Sequence, residues 1–275
     1  MKDPYVSGTP ESESAARSSD WFITGAHSEY PTMFMFPHAG GRAERFLEWQ
    51  PELDGTVRLV GVCPPGAGHR FAEERPRTVV ELADAAATEL AEAAEGEFYL
   101  FGHSLGALVA FEVARRLPVR PAALVVSGCA GPRLLPSERV VRLASLPPDS
   151  FLEEAQFFGG VPSDSLQFPE MAEVLVERLR QEFRMVAGYV FEPEPVLNIP
   201  IVTVVGESDP HVTGTKASCW QEVTAHPIES HVVPGGHFYF EENDEIIAIL
   251  RRLVLATSDG QRGEDSSTGI HVWSI

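Results

Sequence analysis

The chain is short of cysteine, of positive charge and of long apolar runs, and each shortage closes off a class of function. Its 275 residues include three cysteines, Cys63, Cys129 and Cys219. They are odd in number, widely spaced and without a C-x-x-C pair, which argues against a disulfide framework or a zinc site and for a reducing, cytoplasmic setting. Lysine and arginine total 21 against 40 acidic residues, for a net charge of −19. A field of that sign repels nucleic-acid phosphates and anionic membranes, so neither is an expected partner. No apolar run approaches the roughly 20 residues of a membrane span. The polar start, Met1 to Asp20, has no apolar stretch of the kind a signal peptide needs. There is no G-x-x-x-x-G-K-[ST] phosphate loop and no internal repeat.

What is present is a chain with 44% hydrophobic residues, long enough to bury a large core without covalent staples. Residues 1–30 and 257–275 are rich in Ser, Glu and Gly and are expected to be poorly ordered, leaving one domain over 31–256. Within it, short apolar runs at Thr32–Phe36, Val57–Val62, Phe98–Phe101, Ala123–Ser127, Ile201–Val205 and Ser230–Val233 alternate with helical patterns. That alternation predicts an α/β fold, a mostly parallel central sheet flanked by helices. Val79, Leu82, Ala83, Ala86 and Leu90 recur at helical spacing, and the run from Ala107 to Leu117 is apolar on nearly every side, as a helix buried between layers would be. Between about 131 and 198 the alternation stops: helical pieces such as Met171–Val186 and proline-rich joints predict a helical insertion lying over the strand ends as a lid.

The most specific stretch is Gly102-His103-Ser104-Leu105-Gly106, which follows one of these strands and opens the apolar helix. The G-x-S-x-G pattern in a strand–turn–helix setting is a nucleophile elbow, in which glycines permit a turn sharp enough to lift the serine hydroxyl clear of the sheet. A serine hydroxyl needs a base to take its proton and an acid to orient that base. In the α/β-hydrolase fold these follow the serine in chain order, on loops after later strands. Asp209, in Gly206-Glu207-Ser208-Asp209-Pro210, is the candidate acid, with Glu207 as its competitor. His237, in Pro234-Gly235-Gly236-His237-Phe238, is the candidate base, while His103 inside the elbow reads as a packing neighbour. The negative charge that attack builds on a carbonyl oxygen calls for two preset backbone N–H donors. Leu105, next to the serine, is one; Ala39, in the loop Phe36-Pro37-His38-Ala39-Gly40-Gly41, is the candidate second, with Gly40 next.

These stretches, together with Tyr189 to Pro200, resemble the stand-alone type II thioesterases of polyketide and nonribosomal peptide synthesis, within the α/β-hydrolase superfamily. The resemblance runs from about Thr32 to Leu253, and the Pro-His-Ala-Gly-Gly and Pro-Gly-Gly-His-Phe segments are its most specific parts. It implies a cytoplasmic enzyme, without cofactor or metal, that hydrolyses stalled or aberrant acyl units from the phosphopantetheine arm of acyl or peptidyl carrier proteins. It places Ser104, Asp209 and His237 on the triad positions and 131–198 on the helical lid. An esterase or acyltransferase acting on a non-carrier substrate would use the same triad. The chain departs from the family where Pro-Gly-Arg is common, having Pro65-Gly66-Ala67-Gly68-His69-Arg70, which raises the question of whether Arg70 substitutes. Carrier proteins are usually acidic, so docking on a chain of net charge −19 would need a local patch, for which Arg178, Arg180 and Arg184 are candidates.

Overall fold

A computed structural model of the chain describes residues 20–24, 29–155, 169–241 and 244–265. Its strands are β1 (Phe22–Thr24), β2 (Thr32–Phe36), β3 (Arg58–Val62), β4 (Phe98–His103), β5 (Ala123–Ser127), β6 (Ile201–Gly206) and β7 (Glu229–Val233). They form one sheet in the order β1-β3-β2-β4-β5-β6-β7. Only β1 is antiparallel to its neighbour; every other pairing is parallel. The helices are α1 (Glu44–Leu47), α2 (Gln50–Leu53), α3 (Val79–Ala93), α4 (Leu105–Ala114), α5 (Glu138–Ser145), α6 (Pro148–Ala155), α7 (Pro169–Ala187), α8 (Gly214–Ser218) and α9 (Glu245–Asp265). None of them is long and apolar enough to cross a membrane.

The side-chain period of a strand divides the core between the two faces of the sheet. Phe34, Phe36, Leu100, Leu124 and Val126 point to the face covered by α3 and α4. Met33, Met35, Tyr99, Phe101 and Val125 point to the face covered by α1, α2 and α9. Central parallel strands buried on both sides carry no polar face, and β4, β5 and β6 are buried at every position. Helix α3 begins with a capping box in which Thr78 accepts from the Glu81 N–H and Glu81 reaches back to the Thr78 N–H. Every residue of α4 is buried, Glu112 included. That carboxylate pairs with Arg115 at 2.9 Å and accepts from the Tyr189 hydroxyl at 2.7 Å, as a buried charge requires.

All six expected strands are present; β3 begins one residue later and β7 one residue earlier than the apolar runs suggest. The strand β1 falls inside the 1–30 segment expected to be poorly ordered. It is held by pairing to β3 and by the buried Trp21, whose carbonyl accepts the Cys63 N–H at 2.7 Å. At the other end α9 continues to Asp265, through the first nine residues of the expected 257–275 tail. Residues 1–19 and 266–275 lie outside the described residues, as do 156–168. Between β5 and β6 the described residues contain helices α5–α7 and no strand. These helices share a small core of their own, with Leu143, Phe151, Ala155, Val176, Leu179 and Phe183 in mutual contact.

Candidate active site

Ser104 joins β4 to α4 with φ +53° and ψ −116°, the one non-glycine with positive φ among the described residues. Such a conformation costs of order 1–3 kcal/mol and persists only where surroundings enforce it. Here the enforcement is backbone against backbone. A Cβ on Gly102 would lie 2.2 Å from the Gly106 carbonyl oxygen, and one on Gly106 would lie 2.1 Å from that of Phe36. The end of β4, the start of α4 and the end of β2 therefore touch without side chains between them. The Ser104 N–H is fixed to the Ser127 carbonyl at 2.8 Å.

Asp209 and His237 come from the loops after β6 and β7, and these loops are also in backbone contact: a Cβ on Gly206 would sit 2.0 Å from the Gly236 carbonyl oxygen. Asp209 is buried, and its Oδ1 accepts the N–H groups of His211 at 2.8 Å and Val212 at 3.1 Å. Its Oδ2 lies 2.8 Å from His237 Nδ1. Burial alone would raise the Asp209 carboxyl, but the bond to His237, the charge on that ring and the two amides hold it below its ordinary value. An ionised Asp209 makes Nδ1 the protonated nitrogen and leaves Nε2 as the lone-pair site. Glu207, its competitor, is exposed, and the carboxylate bonded to His237 is that of Asp209.

The loop after β2 is a β-turn closed by the Gly41 N–H donating to the His38 carbonyl at 2.9 Å, with Gly40 at φ +72° in its third position. A positive φ there is the glycine position of a type II turn. The Gly40 N–H is taken by Glu182 Oε2 at 2.6 Å, whereas Ala39 lines the same cavity as Ser104. Leu105, at the first position of α4, has no carbonyl of its own helix to meet. Ala39, Ser104, Leu105 and His237 all line one cavity of about 480 Å³.

Residues 31–254 match the thioesterase domain family. The chain belongs to that family. It is 36% identical over 212 residues to Thioesterase PikA5 of Streptomyces venezuelae, covering 75% of this chain and 74% of the relative. It is 31% identical over 246 residues to the gramicidin S biosynthesis protein GrsT of Aneurinibacillus migulanus, covering 86% and 95%. Among solved structures, the type II thioesterase BorB from the borrelidin biosynthetic cluster superposes with a TM-score of 0.76 at 29% identity, covering 85% of this chain and 97% of that one.

In this thioesterase most of the remaining lining comes from the segment between β5 and β6, joined by Leu108 of α4 and by Pro210, His211, Val212 and Lys216 after β6. Leu135, Val140, Phe183 and Val186 form an apolar wall with Leu108 and Cys129, and Arg139 and Lys216 stand at its polar edge. Three further histidines surround His237. His103 and His211 have ring centroids 4.9 and 5.0 Å from it, and His38 lies 5.7 Å from His103. His103 is fully buried, with Nδ1 bonded to Ser127 Oγ at 2.8 Å and Ser127 bonded in turn to the Tyr239 hydroxyl at 2.6 Å. It is the packing neighbour its position in the elbow suggested. Burial pushes His103 well below the ordinary histidine value and His38 and His211 down to about 4, with charge on His237 adding to each effect. All three are neutral at neutral pH and put no competing charge beside the Asp209–His237 pair.

The arginines fall differently from expectation. Arg70 does not reach the site: it stacks over Trp21 at 4.7 Å and bonds to Glu73 at 2.6 Å. Arg180 is buried, bonded to Glu177 and to the Leu146 carbonyl, and Arg184 is paired with the same Glu177. Arg178 donates to the Phe71 carbonyl at 2.8 Å. Of the expected basic patch, Arg180 is thus spent within the fold, while Arg178 and Arg184 reach the surface, each with a polar partner. The residue that does reach the oxyanion loop region is Arg75, which bonds to Glu182 and to the Gly66 carbonyl. Neither Arg75 nor Glu182 was singled out from sequence. The available signal was a glutamate beside Leu179 and Phe183 on the inward stripe of α7.

Proposed function

We propose that the chain is a serine thioesterase that hydrolyses acyl groups from the phosphopantetheine arm of carrier proteins in polyketide or nonribosomal peptide biosynthesis. Ser104 is the nucleophile, His237 the base, Asp209 its orienting acid, and the Ala39 and Leu105 amides the oxyanion donors. The observation that supports this most is the Asp209–His237 bond of 2.8 Å, opening on the same cavity as the strained Ser104.

In the first step Ser104 Oγ attacks the thioester carbonyl while His237 Nε2 accepts its proton. Asp209 holds the tautomer and stabilises the imidazolium. The two amides meet the developing oxyanion, each contributing about 3 kcal/mol. The phosphopantetheine thiol leaves with the proton from His237; with a pKa near 8.5 it departs more easily than an alcohol or amine. A water then attacks the acyl-serine carbonyl as His237 takes its proton, and His237 returns that proton to Ser104 Oγ as the ester bond breaks and the free acid is released. No step calls on a cofactor. The triad itself does not select thioesters, so selection falls to the carrier surface and to the apolar wall between β5 and β6, which acts as the lid over the acyl chain.

The test is release of free acid from an acylated carrier protein, read by mass spectrometry, with a simple alkyl ester as comparator. Ser104→Ala is expected to lower release by at least about 10⁴-fold. Near-normal release by that variant would remove the nucleophile assignment. Serine-dependent ester cleavage with an untouched carrier would keep the triad and replace the carrier role with that of an esterase.

A further inference from the structure

Glu182 lies on the cavity-facing side of α7, yet its carboxylate is not directed at any group of the proposed reaction. With its partner Arg75 it forms a pair whose side chains are 8% and 7% exposed. A carboxylate in that position is costly unless both oxygens are occupied. One oxygen is held by Arg75, whose other terminal nitrogen donates to the Gly66 carbonyl at 3.2 Å. The second, Oε2, accepts the Gly40 N–H at 2.6 Å. Three segments distant in sequence, the loop after β2, the loop after β3 and helix α7, therefore meet on one carboxylate.

The oxyanion loop shows what that contact does. The turn His38–Gly41 is closed by its own Gly41-to-His38 bond, which fixes its internal shape. That bond does not anchor the turn to the helical wall. Glu182 does so, through the Gly40 N–H. We infer that Glu182 is a positioning residue that pins this turn as a unit, so that the oxyanion donor at Ala39, next to Gly40, is set only when α7 is docked. This rests on the assignment of Ser104 and Ala39 proposed above. It makes the helical wall part of the catalytic geometry: the helix that covers the acyl chain also sets the amide that stabilises the transition state.

The test compares two variants in an Arg75→Met background, Glu182→Gln and Glu182→Leu. Both remove the buried ion pair, and only glutamine keeps an acceptor for the Gly40 N–H. The readouts are kcat and KM on a short acyl thioester of N-acetylcysteamine, and the rate at which a fluorophosphonate modifies Ser104. The glutamine variant is expected to keep kcat within about 3-fold of Arg75→Met alone. The leucine variant is expected to lose about 30-fold in kcat, part of the 10²–10³-fold that removing an oxyanion donor costs, with KM within about 3-fold and labelling slowed alongside. Equal kcat in the two, high or low, would overturn the inference. Should the leucine variant not fold, Glu182→Asp in the otherwise wild-type chain replaces it: the shorter side chain keeps its charge opposite Arg75 but withdraws from Gly40. Wild-type kcat in that variant would equally overturn the inference. Ser104→Ala, run beside them, separates the two readings. An active Ser104→Ala removes the triad assignment, whereas an inactive one with equal Glu182 variants removes only the role of Glu182.

Discussion

The two walls of the cavity are held by different forces. On the strand-end side the elbow and the Asp209 and His237 loops meet backbone to backbone, at glycines where a single methyl group would come within 2.0–2.2 Å of a carbonyl oxygen. On the other side α5, α6 and α7 pack around Leu143, Phe151, Leu179 and Phe183, apart from the two cores that cover the sheet. They join the strand-end side through polar links, of which the Glu182 bond to Gly40 is the most buried. The first wall has no soft atoms with which to adjust; the second has side chains that can repack. A site that must hold a transition state to a fraction of an ångström and also admit varied acyl chains needs both kinds.

The largest effect expected from breaking this division is on the rigid side. Gly106→Ala places a methyl group against the Phe36 and Pro37 carbonyls, 2.1 and 2.6 Å away, and neither is a flexible side chain. A loss of more than about 3 kcal/mol in unfolding free energy is expected, read by denaturant titration, because overpacking against main chain finds no relief. A variant with wild-type stability would mean that the elbow is softer than its contacts indicate.

The elbow was legible in the sequence for the same reason that it is rigid. Its constraints are local, so Gly102, Ser104 and Gly106 announce them within five residues. Asp209 and His237 were legible because each follows a strand pattern in the right order. Choosing between Asp209 and Glu207, or between Ala39 and Gly40, required knowing which group faces the cavity, and that depends on pairing across distant segments. The strand β1 escaped because a three-residue run has no periodicity to read and draws its stability from β3 and the burial of Trp21. Glu182 escaped because its meaning lies in Arg75, 107 residues away, and in a backbone N–H that sequence does not display. Arg180 was misread as surface charge because its partners, Glu177 on its own helix and the Leu146 carbonyl 34 residues away, do not show in the sequence pattern.

A second effect separates the walls by pH. The strand-end side carries His38 and His211, pushed down to about 4, and His103, held well below its ordinary value by burial. With folded-state values below the ordinary 6.5, the unfolded chain binds more protons between about pH 4 and 6.5. Stability therefore rises with pH across that window and is lost on acidification. The loss is expected to be at least about 2 kcal/mol between pH 6.5 and 4.5, the amount His38 alone would give, read as a falling Tm in scans at fixed ionic strength. A Tm that stays level or rises on acidification would contradict the burial of the cluster.

The smallest effect is on the repacking side. Phe151, on α6, is fully buried in the helical core and stacks edge-on against Phe183 at 5.4 Å. Phe151→Leu removes that stacking and part of the volume, at a cost of about 1 kcal/mol. Because this core is separate from those flanking the sheet, the cost should appear as local opening rather than as a shift of the whole molecule. Amide exchange is expected to speed up about 5-fold in α5–α7 while β4 and β5 keep their protection. Equal acceleration in both regions would mean that the helices and the sheet open as one unit. In that case the ease of repacking assigned to this wall would have to be given up, and these helices could not move without the sheet.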